Sequence, residues 1–222
     1  MARLTRRAAI LSAAGGAAVA AAPALAATPP AKPSAKAAVS RWPAAPGDMS
    51  LGDPQAPIHV VEYLSLACPH CAHFHADVFP AFKAKYIDTG LVYFTLRELL
   101  TAPAQVAAAG FLMARCKGDA TTYFRIVDQV FRSQSRWQQG NIKPLFVEIA
   151  KGNGMTEAQF EACLEDEKGN AALEGRLKYA VETDKVTGTP TFFVNGTMLN
   201  NQEVPSLADL DAAIAKAGKG KR

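Results

Sequence analysis

The sequence is poor in cysteine and has no long apolar run. Its 222 residues include only 4 cysteines, too few for a small fold that relies on many disulfides. No apolar stretch reaches the roughly 18–20 residues that a membrane-spanning helix needs. Hydrophobic residues nevertheless make up 49% of the chain, enough to build a substantial core in one large domain or two small ones.

Net charge is also small. The chain carries a formal charge of +4, and much of this excess lies near the N-terminus, at Arg3, Arg6 and Arg7. Without those three arginines, 21 basic side chains stand against 20 acidic ones, a net charge of +1. A nucleic-acid-binding surface would need a basic patch, so we expect no nucleic-acid partner.

The N-terminal segment has the pattern of a cleaved targeting signal. The arginines precede an Ala- and Gly-rich run, and Ala24-Leu25-Ala26 fits a small-x-small cleavage site. We therefore expect residues 1–26 to be a signal peptide for export to an oxidising compartment. Thr5-Arg6-Arg7 suggests the twin-arginine route, but Ala9 stands where that motif prefers a large apolar residue. Both twin-arginine and general secretory export remain open. A lipid anchor is not expected, because no cysteine directly follows the cleavage site.

The remaining chain predicts an α/β domain split by an all-helical insertion. Residues 27–47 are rich in Pro, Ala and Lys and predict a flexible tether. The α/β domain then covers 48–100 and 186–222, and the insertion covers 101–185. Strands are predicted at 58–65, 91–96, 191–194 and 197–199, helices at 68–87 (kinked at Pro80), 104–117, 121–133, 141–151, 156–166, 170–185 and 205–217, and a tight hairpin at Asn195-Gly196.

Two thiols follow the first predicted strand directly, in Cys68-Pro69-His70-Cys71. Pro69 suits the first turn of a helix, and the free N–H groups at that helix start favour a thiolate at Cys68. A protonated His70 beside it would add to this effect. Because a stabilised thiolate stabilises the reduced form, a Cys68–Cys71 disulfide would be a strong oxidant. We predict a redox pair in which Cys68 is the attacked sulfur and Cys71 resolves the mixed disulfide.

Two other interpretations of this segment stay open. Cys68 and Cys71 could form a purely structural disulfide, or with His73 and His75 they could bind zinc or copper, although a structural zinc site usually takes a second paired ligand set. Haem attachment is excluded, because Ala72 rather than histidine follows the second cysteine. We expect no metal and no cofactor other than the redox-active disulfide.

Glu62 is an acid within the first predicted strand. Period-two alternation places it on one face with Ile58, Val60 and Leu64. Burial among them would raise its pKa and let it exchange protons with Cys71. The alternative is an acid that reaches the strand edge or pairs with a lysine.

Thr189-Pro190 directly precedes the apolar run Thr191–Val194. Proline cannot donate within a sheet. A cis bond would let the strand begin here and would leave the Thr189 backbone able to pair with an extended substrate. A trans proline at the first residue of the strand is the alternative that composition alone favours.

Cys116 and Cys163 both lie in the predicted helical insertion. In an exported protein they can form a structural disulfide. The alternative is two separate buried thiols.

Taken together, two motifs resemble the DsbA family of periplasmic thiol:disulfide oxidoreductases, which have a thioredoxin-like fold. The motifs are Glu62-Tyr63-x-Ser65-x-x-Cys68-Pro69-His70-Cys71-x-x-Phe74-His75 and Val186-Thr187-Gly188-Thr189-Pro190-Thr191-Phe192-Phe193-Val194-Asn195-Gly196. The resemblance implies a cis Thr189–Pro190 bond beside the disulfide, with substrate docking there. It also implies periplasmic location and a DsbB-like, quinone-linked membrane partner as reoxidant. The Cys116/Cys163 pair resembles the subgroup with a second disulfide.

Three functions are consistent with these patterns. The first is an oxidase that donates the Cys68–Cys71 disulfide to exported proteins with free thiols as they fold. The second is a disulfide isomerase or reductase; such proteins in this superfamily commonly add a dimerising segment, whereas the short tether here favours a monomer. The third is a protein that binds metal through the Cys/His cluster.

Overall fold

The structure is a computed structural model that describes residues 42–137, 139–140 and 142–219. The predicted signal peptide and the first part of the predicted tether lie outside the described residues. The part that is described has a mixed sheet with helices on both sides, so the predicted α/β class is confirmed.

Within the described residues, five strands form one sheet. They are β1 (Met49–Leu51), β2 (Ile58–Leu64), β3 (Val92–Glu98), β4 (Thr191–Val194) and β5 (Thr197–Asn201). Their spatial order is β1-β3-β2-β4-β5. β2 and β3 are parallel, and every other neighbouring pair is antiparallel. All seven residues of β2 are buried, because this central strand is covered on both faces, as its nearly continuous apolar run predicts.

The helical segment after β2 contains two wider turns. It runs through α1 (Pro69–His73), a π-helical turn (Phe74–Val78), α2 (Phe79–Phe82) and a second π-helical turn (Lys83–Ile87). The Phe79 N–H bonds to the Phe74 carbonyl, five residues back. A proline at position 80 has no N–H and crowds the carbonyl four residues before it, so the wider turn relieves that clash. The predicted kink at Pro80 therefore takes the form of a π-helical turn.

Between β3 and β4 the described chain is helical. The helices are α3 (Ala104–Arg115), α4 (Ala120–Arg132), α5 (Gln134–Trp137), α6 (Ile142–Gly152), α7 (Glu157–Glu165) and α8 (Glu167–Glu182). Asp119 caps α4 by accepting from the Thr122 N–H at 2.7 Å, and Thr156 and Gln159 form the predicted capping box of α7. The last described element is α9 (Leu207–Lys219). No helix of the described residues has the length and apolarity to cross a membrane.

Residues 42–47 are packed against the fold, so the prediction of a flexible tether is wrong for this part. The Trp42 ring lies 4.4 Å from the ring of Phe193, and its Nε1 donates to Asp184 at 3.2 Å. Arg97 donates to the Pro43 carbonyl at 2.7 Å and to both carboxylate oxygens of Asp48 at 2.8 Å. These contacts also hold β1, a three-residue strand that the sequence analysis did not predict.

Candidate active site

Cys68 and Cys71 lie at the start of α1, directly after β2. Cys68 is the N-cap residue, with extended backbone angles (φ −82°, ψ 121°), and Pro69 occupies the first turn. Both cysteines are free thiols. Cys68 is 7% exposed and Cys71 is fully buried. The strand and helix thus bring the two predicted redox residues to the same helix end, with Cys68 closer to solvent.

The surroundings of Cys68 favour its thiolate. Its pKa is lowered to about 5, chiefly because its sulfur accepts a hydrogen bond from the Cys71 thiol, with further donation from the backbone N–H groups of Cys71 and His70. The Pro69 and His70 side chains are exposed. His70 thus stabilises the Cys68 thiolate through its backbone N–H at the helix start, where the peptide dipoles also favour negative charge. The sequence analysis had assigned this role to the imidazole.

Cys71 has the opposite character. Burial raises its pKa well above the ordinary range, and donation of its S–H to Cys68 and the charge of Glu62 act in the same direction. At neutral pH the reduced pair is therefore a thiolate at Cys68 hydrogen-bonded by a thiol at Cys71. The two sulfurs differ although they are only three residues apart, because one lies at the helix end and the other lies in the core.

Glu62 is fully buried beneath this pair. Burial raises its pKa, and His75 opposes that shift. His75 Nε2 lies 2.9 Å from Glu62 Oε2, whereas Oε1 has no hydrogen-bond partner among the described residues. The expectation of burial is met, but the partner is a histidine rather than a lysine. The sequence analysis had considered His75 only as a metal ligand and as part of the family motif.

Thr189 and Pro190 lie beside Cys68. The peptide bond between them is cis, as the resemblance implied, and β4 begins at the next residue. Cys68 Sγ lies 3.4 Å from the Thr189 carbonyl oxygen. The Gln202 N–H bonds to the Pro190 carbonyl at 2.8 Å. The structure thus brings together the two motifs that are more than a hundred residues apart in sequence.

Gln134 is a site residue that the sequence analysis missed. It lies in α5, is 8% exposed, and donates through Nε2 to the carbonyls of Leu66 (3.0 Å) and Cys68 (3.2 Å). The helical segment therefore fixes the backbone that carries the Cys68 sulfur. A single glutamine between two predicted helices has no local pattern that would have revealed this contact.

Comparison with known proteins agrees with this geometry. A family model described as thioredoxin matches residues 44–216. The crystal structure of Wolbachia pipientis alpha-DsbA1 matches with a TM-score of 0.71 and 29% identity, over 79% of this chain and 94% of that one. The chain belongs to the DsbA family. Oxidised BdbD from Bacillus subtilis has the same fold, with a TM-score of 0.71 at 24% identity over 82% of this chain and 98% of that one.

Curated relatives show similarity in sequence as well. A Rickettsia bellii protein named as a protein-disulfide oxidoreductase is 36% identical over 171 residues, which cover 77% of this chain. This chain spans 64% of the length of that relative. Disulfide bond formation protein D of Bacillus subtilis is 28% identical over 191 residues and 83% of each chain.

The DsbA-type site does not assemble the alternative metal cluster. His73 is exposed and lies 3.4 Å from Asp77, whereas the His75 ring is buried against Glu62. In the part of the chain that the structure describes, no three His, Cys, Asp or Glu side chains are grouped to hold a metal ion.

The second pair of cysteines forms a disulfide away from this site. Cys116 caps the end of α3 and is bonded to Cys163 in α7, with their Cα atoms 5.8 Å apart. The bond joins two helices of the inserted segment. Of the two alternatives from the sequence, the structure contains the disulfide rather than separate thiols.

Proposed function

We propose that this chain is a thiol:disulfide oxidase that donates a Cys68–Cys71 disulfide to exported proteins as they fold. The observation that carries the proposal is the contrast between the two sulfurs: the pKa of Cys68 is lowered to about 5, and that of Cys71 is raised. Reduction of a disulfide is more favourable when it produces a stable thiolate. Such a disulfide therefore oxidises other thiols readily.

The same contrast suits the two exchange steps of an oxidase. In the first, a substrate thiolate attacks Cys68 Sγ, the Cys68–Cys71 bond breaks, and the departing Cys71 sulfur takes up a proton. In the second, another substrate thiolate attacks the substrate sulfur of the mixed disulfide and releases Cys68 as a thiolate. Two electrons pass from the substrate to the protein, and the substrate gains one disulfide. Thiols of low pKa are good leaving groups, which makes release from Cys68 fast.

Three further roles complete the proposal. Thr189 and Pro190 would hold an extended substrate, because they lie beside Cys68 and directly before β4, which pairs with β5. Glu62 would exchange the proton of Cys71, since its charge interacts with that sulfur inside the core. A membrane protein of the DsbB type would reoxidise the pair after export to the periplasm.

Trapping tests this proposal directly. In cells of the source organism, the Cys68 thiolate of Cys71→Ala should attack disulfides of exported proteins and accumulate as mixed disulfides with them, because no Cys71 thiol remains to close the ring and release the partner. The matched control is Cys68→Ala/Cys71→Ala, which should give no adducts on non-reducing gels. Mass spectrometry of the adducts would identify the substrates, and an absence of adducts from Cys71→Ala would refute the oxidase.

A second measurement separates the oxidase from the isomerase or reductase. The oxidised wild-type protein is mixed with a reduced, unfolded protein that has several cysteines, and net disulfide formation is followed. An oxidase transfers close to one disulfide per molecule. Efficient rearrangement of existing disulfides with little net oxidation would favour the isomerase instead.

A further inference from the structure

The buried histidine next to Glu62 is not used by the exchange steps above. His75 is 4% exposed and is held between two aromatic rings, with ring centroids 4.8 Å from Phe79 and 4.9 Å from Phe131. This packing fixes the imidazole so that Nε2 points at Glu62 Oε2, 2.9 Å away. Such a buried, oriented acid–imidazole pair is typical of groups that move protons.

The histidine also borders a surface cleft. Together with Phe131, His73, Asp128 and Arg132 it lines a cleft of about 230 Å³ between α1 and α4. Glu62 is fully buried and is not among the residues that line this cleft. A proton that travels between the core acid and water therefore has a short route through the His75 ring.

We propose that His75 is a positioning residue that aligns Glu62 and links it to the solvent cleft, so that the pair delivers and removes the proton of Cys71. This inference rests on the proposed thiol–disulfide exchange. When the disulfide is opened, the pair supplies one proton to the Cys71 thiolate. When the ring closes again, Cys71 loses its proton to Glu62, its sulfur attacks Cys68 in a mixed disulfide, and the partner leaves as a thiolate.

The charges around the histidine are few. Glu62 faces it from β2, His73 shares its helical segment, and Asp128 and Arg132 lie on α4 across the cleft. Asp128 and Arg132 pair with each other at 2.8 Å, and the rings of Phe79 and Phe131 carry no charge. Glu62 is thus the one group among these with a hydrogen bond to the imidazole.

Ring closure can be measured by itself. Reduced protein is mixed with glutathione disulfide, and samples are quenched with acid at intervals. Mass spectrometry of the samples distinguishes glutathionylated Cys68 from the closed Cys68–Cys71 disulfide. His75→Gln keeps an amide that can donate to Glu62 but cannot carry a proton. We expect its first step to match wild type and its ring closure to be at least about tenfold slower near neutral pH, so that the adduct accumulates.

The pH dependence separates proton transfer from a merely structural role. As the pH rises, hydroxide removes the Cys71 proton directly, so the ratio of wild-type to His75→Gln closure rates should shrink towards one. A variant that only misplaces the helix would slow closure by the same factor at every pH. His73→Gln, which removes an exposed imidazole from the same helix, should close at the wild-type rate.

A second variant keeps the test valid if His75→Gln does not fold. Glu62→Gln should show the same pH-dependent slowing, and the double variant should be no slower than Glu62→Gln alone, because the two residues act in series. If wild-type Cys68 forms no adduct with glutathione, the proposed function and the relay both fail. If wild type cycles and His75→Gln closes equally fast, or slower by a constant factor at every pH, the relay alone is refuted.

Discussion

Titration of Cys68 should make the reduced protein more stable as the pH rises. In the folded protein its pKa is lowered from 9.0 to about 5, so between these values the folded state has lost a proton that the unfolded state still binds. Stability then increases with pH. The contribution is complete above the unfolded pKa and is lost as the pH falls through the folded one. At pH 7, two units above the folded pKa, it amounts to about 3 kcal/mol, since each unit corresponds to about 1.4 kcal/mol.

Comparison with Cys68→Ser isolates this effect, because a serine hydroxyl does not ionise in this range. Urea unfolding of both reduced proteins is measured at several pH values between about 5 and 8. The difference in the free energy of unfolding should be near its minimum at the acidic end and should grow by about 1.4 kcal/mol per pH unit. Titrating groups that do not interact with Cys68 contribute equally to both proteins and cancel in the difference.

Two independent results would refute the reasoning. One is a constant difference between the proteins across this pH range. The other is direct: the ultraviolet absorbance of the thiolate, or the rate of Cys68 alkylation, should show a midpoint near the lowered pKa of about 5. A midpoint close to the ordinary thiol value would show that the helix start and the Cys71 thiol do not stabilise the anion.

Three further changes test other contacts in the fold by urea unfolding. Replacing Cys116 and Cys163 with alanine should lower the free energy of unfolding of the oxidised protein by about 4 kcal/mol, because the bond closes a loop of 47 residues; an unchanged midpoint would contradict this. Gln134→Ala should cost about 1–3 kcal/mol, because two buried carbonyls lose their donor, whereas Gln139→Ala, in an exposed turn, should cost little. Arg97→Met should cost about 3–5 kcal/mol, because it leaves the carboxylates of Asp48 and Asp184 without their cation; a loss below about 1 kcal/mol would show that they find other partners.

Local patterns predicted much of the fold. The apolar run of β2, the thiols at the following helix start and the capping residues Asp119 and Thr156 each depend on neighbours within a few positions. The hairpin at Asn195-Gly196 is another example. Both residues have positive φ, 47° and 82°, the geometry that this dipeptide favours in two-residue turns.

Features that depend on distant partners could not be predicted. β1 has three residues, too few for a periodic signal, and it forms only because β3 offers it an antiparallel edge. Likewise β3 continues past its predicted end through Arg97 and Glu98, because both charges are buried with opposite charges from other elements. No sequence pattern indicates which cation will meet which carboxylate.

The sequence by itself determined the site's identity: a strand, two thiols and a helix in direct succession, with a Thr-Pro motif before a later strand. Only the tertiary structure decided how the two thiols differ. Their pKa values depend on burial and on the groups that other elements bring close, Thr189 beside one sulfur and the buried Glu62–His75 pair beneath the other. Electrostatic energies are set by distance and by the surrounding dielectric, and both quantities exist only once the chain has folded.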